Sequence, residues 1–141
     1  MSDMIVFTVP GTPVGKGRPK FARRCKFVTT YTPEKTVNYE NLVKIAASQS
    51  MGTRPPIDGA VDVELSLFVI PPASWSNKKR TQALAGGIRP TSKPDIDNVL
   101  KGIADACNGI VWLDDKQIVD CRISKRYAER TEAVVLVKVA A

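Results

Sequence analysis

The chain of 141 residues contains no histidine. This absence excludes Ser–His–Asp and Cys–His catalysis, zinc sites built on histidine, and nucleases that use histidine as a general base. Any reaction must therefore use carboxylates, lysines, backbone groups or a bound metal ion.

Cysteines and long apolar runs are also scarce. The three cysteines form no Cys-x-x-Cys pair, and their odd number argues against a disulfide framework. We expect Cys107 and Cys121 to be small core residues. No run approaches the ~20 apolar residues of a membrane-spanning helix, and the N-terminus lacks the regions of a signal peptide. The sequence therefore predicts a cytoplasmic protein that contacts no membrane.

Acidic residues are missing from positions 11–30, although the whole chain has a net charge of +7 and a pI near 9.5. Glycines and prolines interrupt this segment, so its charges face water or a ligand. A polyanion such as DNA is the expected partner, although many basic proteins bind no nucleic acid. The candidate phosphate contacts in this segment are Lys16, Arg18, Lys20, Arg23, Arg24 and Lys26. A second basic set consists of Lys78, Lys79, Arg80, Arg89 and Lys93. In this set Arg89 and Lys93 are candidate DNA contacts, whereas the 78–80 triplet could equally be a solvated face.

The length and the apolar periodicity predict a single domain, residues 1–141, of the α+β class, with helices packed on a mixed β-sheet. Strands are predicted at 4–9, 61–69, 118–128 and 132–139, and the last two are expected to form an antiparallel hairpin. Helices are predicted at 33–50, 75–84 (capped by Ser74) and 95–108. Their expected core residues include Leu42, Ile45, Ile96, Val99, Ile103 and Cys107.

Two aspartates, Asp95 and Asp97, bracket an apolar residue where the last helix begins. On a helix, Asp97, Lys101 and Asp105 lie at i, i+4 and i+8 and share one face. Hard divalent cations such as Mg²⁺ prefer oxygen ligands of this kind. The pattern is compatible with a metal site, and Lys101 could then orient a phosphate.

Structural explanations of the same residues are also open. Aspartates near a helix start often cap free N–H groups, and Asp97 with Lys101 could be a surface ion pair. Asp114 and Asp115 could simply form a turn. Spacing alone does not decide between these interpretations.

The stretch KPDIDNVLKGIADAC, followed by GIVWLDDKQIVDCRISK, resembles the core signature of the RusA family of Holliday junction resolvases. The N-terminal FTVPGTPVGKGRPKFARR resembles that family's first strand and loop. The resemblance implies a RusA-like homodimer that makes paired symmetric nicks in four-way DNA junctions with Mg²⁺ or Mn²⁺. It also implies a bacterial protein or one encoded by a phage or prophage. It places the metal-binding carboxylates at Asp95, Asp97 and Asp115 and the essential lysine at Lys101, with Asp114 as a possible substitute for Asp115.

Three alternatives remain open from the sequence. The chain could be a nucleic-acid-binding module without catalysis, a nuclease specific for flaps, forks or single strands, or a protein-binding domain with a structural acidic cluster. Trp112 is expected to be a core anchor that positions Asp114 and Asp115. Asn98 is expected either to orient an aspartate or to cap the helix.

Overall fold

The computed structural model describes residues 4–15, 20–24, 27–31 and 34–140, with the side chains of 4–15 and 38–140. Its elements in chain order are β1 (Met4–Pro10), β2 (Lys20–Arg24), β3 (Phe27–Tyr31), α1 (Glu34–Met51), β4 (Val61–Val69), α2 (Asn77–Leu84), α3 (Ile96–Ala106), a 3-10 turn (Asp115–Gln117), β5 (Ile118–Tyr127) and β6 (Glu132–Val139). The predicted α+β class, with a mixed sheet, is confirmed.

Four strands form the main sheet in the order β1-β6-β4-β5, in which only the β4–β5 pair is parallel. The predicted hairpin of the last two strands is therefore wrong, because β4 lies between β5 and β6. The alternating apolar residues of β6 are buried, which suits a strand with a neighbour on each side, whereas β5 carries exposed charges typical of a sheet edge. The polar turn between β5 and β6 therefore crosses over the end of β4.

The core lies between one face of this sheet and the helices α1 and α3. On α1 the buried residues Tyr39, Val43, Ala47 and Met51 recur every four positions. Leu42 and Ile45 are 41% and 56% exposed, so their predicted burial is wrong. The face of α1 that packs on the sheet thus follows the i, i+4 spacing of these four residues, and Leu42 and Ile45 lie outside it.

Helix α2 begins later than the sequence predicts. Its N-cap is Ser76, whose hydroxyl accepts a hydrogen bond from the Lys79 N–H at 3.2 Å, and not Ser74. Trp75 belongs to the preceding turn, where its N–H donates to the Pro72 carbonyl. The difference leaves Trp75 outside the helix.

Two cysteines have opposite environments. Cys107 is fully buried, as predicted, and burial raises the pKa of its thiol to about 12. Cys121 is exposed because it lies on the edge strand β5, so its predicted core position is wrong.

The basic N-terminal segment contains the two-stranded β2–β3 sheet. Lys20, Arg23 and Arg24 lie on β2, whereas Lys16, Arg18 and Lys26 lie outside the described residues. Among the described helices, none has the length and apolar content needed to cross a membrane.

A candidate carboxylate-lined active site

Asp95 occupies the N-cap position of α3 but makes no capping hydrogen bond with its side chain. Its carboxylate instead accepts a hydrogen bond of 3.4 Å from the Asn98 side-chain amide. Asn98 therefore orients an aspartate, which is one of its two expected roles. The capping explanation of Asp95 does not hold in this geometry.

The first turn of α3 faces the edge strand β5 across a cleft of about 540 Å³. Asp95 and Asp97 line this cleft with Ile123 and Lys125 of β5. Ile96 also lines it and is 40% exposed, so its predicted position in the core is wrong. The helix begins beyond the edge of the core, which explains why its first apolar residue stays accessible.

Lys125 holds residues 92–94, which precede Asp95, by hydrogen bonds to their backbone. Its ammonium donates to the carbonyls of Ser92 at 2.6 Å and Pro94 at 2.9 Å. In return, the Arg89 guanidinium donates to the Lys125 carbonyl through Nε at 3.3 Å and Nη2 at 3.1 Å. The sequence analysis did not identify Lys125. The signal for it is its position two residues after Ile123 on a strand, which places both side chains on the face that lines the cleft.

A second cleft, of about 550 Å³, lies along the same face of α3. It is lined by Asp97, Lys101, Asp105 and Asp115, with apolar residues at its base. The i, i+4, i+8 arrangement along α3 is thus confirmed, and the turn after the helix brings Asp115 to it. In the described part of the chain, Asp97 and Lys101 form no ion pair with each other, so the surface-pair explanation does not hold.

Asp115 lies close to another carboxyl group. A hydrogen bond shared with Asp105 raises the pKa of the Asp115 carboxyl, and partial burial and the charges of Asp105 and Asp114 raise it further. A hydrogen bond with Asn108 acts in the opposite direction and lowers this pKa. Two carboxyl groups this close disfavour each other's ionisation, and a bound cation would offset that repulsion.

Asp114 has a different task from its neighbour. Its carboxylate accepts a hydrogen bond from the Lys116 N–H at 2.9 Å, while its own N–H donates to the Gln117 side chain at 2.8 Å. The Gln117 amide in turn donates to the carbonyls of Ile57 and Gly59, each at 2.8 Å. Asp114 therefore caps the turn, and Asp115 is the carboxylate of the pair that faces the cleft.

Trp112 is 1% exposed and anchors the turn, as expected. Its indole N–H donates to the Asn108 side-chain oxygen at 3.0 Å. This bond orients the Asn108 amide, whose other end hydrogen-bonds with Asp115. Asn108, which the sequence suggests only as a helix stop, thus connects the core to the carboxylate pair.

Of the two clefts described so far, Asp97 lines both, Asp95 lines the first and Asp115 lines the second. Across the described ranges, no group of three or more acidic or cysteine side chains is close enough to hold a metal ion as placed. The donors nevertheless fit Mg²⁺ by their chemistry, because Asp95, Asp97 and Asp115 offer carboxylate oxygens, the ligands that this ion prefers.

The glycine-rich N-terminal segment also reaches this region. Residues 12–15 line a cleft with Lys93, Asp95 and Asn98. A Cβ on Gly15 would lie only 2.9 Å from the Asn98 Cβ, so only glycine fits there without displacement. The basic segment therefore starts at the first turn of α3, beside the carboxylates.

The fold and this site define an α+β protein with an acidic groove on the edge of its sheet, flanked by lysines and arginines. This groove consists of the first and second clefts along α3, and its carboxylates are Asp95, Asp97 and Asp115. A family model described as endodeoxyribonuclease RusA matches residues 10–138, and the chain belongs to this family. It is also 39% identical over 140 residues to the uncharacterized protein YqaN of Bacillus subtilis (strain 168), covering 96% of each chain.

Proposed function

We propose that the protein is a Mg²⁺-dependent, structure-specific endodeoxyribonuclease that resolves four-way DNA junctions by paired symmetric nicks. The observation that carries the proposal is the position of Asp97 between two clefts, with Asp95 in one and both Asp115 and Lys101 in the other. Family membership supports the hydrolysis of DNA. The nicking of junctions would take place in the cytoplasm, where such junctions arise.

Each residue of the groove has a role in this proposal. Asp95, Asp97 and Asp115 would hold Mg²⁺, with Mn²⁺ as a substitute. The bound ion would supply a Lewis acid that neutralises charge on the phosphodiester. Lys101 projects from the same face of α3 and would orient the scissile phosphate through its ammonium. Asn98 keeps Asp95 turned toward the groove.

Basic residues around the groove would hold the DNA backbone. Lys93 is exposed beside Asp95, and Arg89 is exposed while two of its nitrogens donate to Lys125. The remaining Arg89 donors point away from that carbonyl and stay available for phosphate. The six basic residues of the segment 16–26 would add further contacts to phosphate.

Substrate preference separates the proposed function from its alternatives. We expect the protein to nick a labelled mobile four-way junction at symmetric positions in Mg²⁺ and not in EDTA. Matched duplex, flap and fork substrates provide the control, since all present the same phosphodiesters. Equal cutting of flaps would show a nuclease of different specificity. Tight junction binding without cutting in Mg²⁺ or Mn²⁺ would favour a binding module.

Paired nicks require two active sites, and we propose that a homodimer provides them through the sheet face opposite α1 and α3. A four-way junction offers two equivalent strands, which two-fold protein symmetry can match. This face is accessible at β1, where Met4 and Val6 are 43% and 49% exposed. Strand register adds Leu136 and Phe68 to the same face.

The charges at the two ends of β5 and of β6 on this face are self-complementary. Along β5, Asp120 and Arg126 lie at opposite ends, and along β6 so do Lys138 and Glu132. A two-fold axis parallel to the face and perpendicular to the strands sets each strand antiparallel on its copy. Asp120 then opposes Arg126 of the second copy, and Lys138 opposes Glu132, while the apolar residues of β1 and β6 meet beside the Lys138–Glu132 contacts.

Charge reversal tests this arrangement. We expect Lys138→Glu to weaken the dimer, because it opposes Glu132 to a second carboxylate, and the double variant with Glu132→Lys to restore it. Sedimentation of dilute protein gives the monomer–dimer equilibrium, and Lys44→Glu on α1 is the matched control. If Lys138→Glu does not weaken the dimer, or if Lys44→Glu weakens it equally, the dimer uses another surface.

A further inference from the structure

An aromatic and basic cluster lies at the end of the sheet where β4 and β5 finish. The Trp75 and Tyr127 rings meet edge to face, with centroids 5.3 Å apart and planes inclined at 66°. The Lys79 ammonium lies over the Trp75 ring, 4.1 Å from its centroid. Trp75 and Tyr127 are half-buried, and Lys79 is exposed. These three residues are called the Trp75 cluster below.

The cluster is not explained by core packing. Ala83 is the buried residue of α2, whose other side chains are mostly polar or charged. The Arg80 guanidinium donates to the Pro72 carbonyl at 3.3 Å and so closes the turn that carries Trp75. A short polar helix therefore holds a tryptophan at the surface beside a lysine. Aromatic rings combined with cations are the features that bind bases and backbone of single-stranded nucleic acids.

The cluster continues the first cleft of the candidate active site. Lys125 lines that cleft with Asp95 and Asp97, and Tyr127 follows two positions later on the same face of β5. Two strand residues advance by about 7 Å, which matches about two stacked nucleotides at roughly 3.4 Å each. A strand of DNA that leaves the cleft along β5 would thus reach Tyr127, with Trp75 beside it, about two nucleotides beyond Lys125.

We propose that the Trp75 cluster is a binding site for an unpaired nucleobase, about two nucleotides from the phosphodiester that is cut. The base stacks on the Trp75 ring, and the Lys79 ammonium moves from the ring to a neighbouring phosphate. Tyr127 supports the indole from its edge. The inference rests on the proposed nuclease function, because it takes the carboxylate groove as the path of the DNA.

Intrinsic fluorescence offers a direct test. The chain has two tryptophans, and Trp112 is 1% exposed, so quenching by DNA reports on Trp75. Protein in EDTA is titrated with a single-stranded oligonucleotide and with a four-way junction carrying 2-aminopurine two nucleotides from the mapped nick. We expect both the tryptophan and the 2-aminopurine emission to fall on binding.

Variants test the role of each group. Trp75→Leu should weaken binding of the single-stranded oligonucleotide about tenfold, within the range for loss of one stacked base, and Trp75→Phe should restore part of it. Lys79→Gln should weaken binding and reduce its salt dependence, whereas the charge-matched Lys44→Gln on α1 should do neither of these to the same extent. Thermal unfolding of each variant verifies that it is folded.

The outcomes separate this inference from the proposed function. Binding by Trp75→Leu and Lys79→Gln at wild-type strength, with 2-aminopurine emission unchanged, would overturn the base-binding site even if nicking persists. Trp75-dependent quenching in a wild-type protein that never nicks DNA would support the site and overturn the nuclease proposal.

Discussion

Replacing Lys125 with methionine removes the ammonium that holds the Ser92 and Pro94 carbonyls while keeping a side chain of similar length. Asp95 follows directly after Pro94, so its backbone would lose its attachment to β5. Helix α3 stays anchored by Val99 and Ile103, which are buried in the core. We therefore expect a local loss of order at Asp95 rather than unfolding of the domain.

The magnitude follows from the two hydrogen bonds. A hydrogen bond from a charged donor contributes about 1.5–3 kcal/mol. Because Lys125 is half-buried and water can replace part of each bond, we expect a net local cost of about 2 kcal/mol for both. At about 1.4 kcal/mol for each factor of ten, this corresponds to a roughly 30-fold loss of nicking at limiting Mg²⁺.

Single-turnover nicking of saturating junction over a series of Mg²⁺ concentrations measures the effect. A positioning role predicts a higher Mg²⁺ requirement for Lys125→Met, with partial recovery in Lys125→Arg. Lys44→Met on α1 removes the same charge at a distance and controls for weaker DNA attraction. An unchanged Mg²⁺ requirement in Lys125→Met would refute the argument that this lysine positions Asp95.

Two further predictions concern the carboxylate pair and the glycine segment. Asp115→Asn should abolish nicking yet stabilise the fold at pH 7 by a few tenths to about 1 kcal/mol, because the site is partly exposed and screened. The raised pKa of Asp115 means that its stabilising contribution is present in acid and lost as pH rises through that pKa. Thermal unfolding should therefore show the variant's advantage at pH 7 and little at pH 4; a less stable variant at pH 7 would contradict this. Gly15→Ala should cost about 1–3 kcal/mol through its clash with Asn98, measured by denaturant unfolding, and should lower nicking about tenfold; wild-type values for both would show that Gly15 has room for a methyl group.

Local patterns predicted much of this molecule correctly. The structure confirms the strands β1 and β4, which the alternation of apolar and polar residues predicts. It also confirms the burial of Val99 and Ile103 on α3 and of Cys107 at its C-cap. Each of these patterns depends on residues close together in the chain. The position of Asp97 and Lys101 on one helix face follows from the same periodicity.

Long-range packing explains what the sequence did not show. The strand between β5 and β6 comes from earlier in the chain, and short connections otherwise favour hairpins. The contact of Asp115 with Asp105 depends on a turn held by Trp112, Asn108 and the capping of Asp114. The bonds of Lys125 to the segment before Asp95 join residues more than thirty positions apart.

The central claim is that the carboxylates along α3 cut DNA rather than shape the fold. Asp97 tests it most directly, since it borders both clefts and is exposed. Wild type and Asp97→Asn should be compared for binding to a four-way junction in EDTA and for nicking in Mg²⁺, with thermal unfolding of both proteins. We predict that Asp97→Asn keeps its fold, binds the junction as tightly or more tightly because a negative charge facing phosphate is gone, and does not nick. Wild-type nicking by Asp97→Asn, or loss of folding and binding together, would contradict the account.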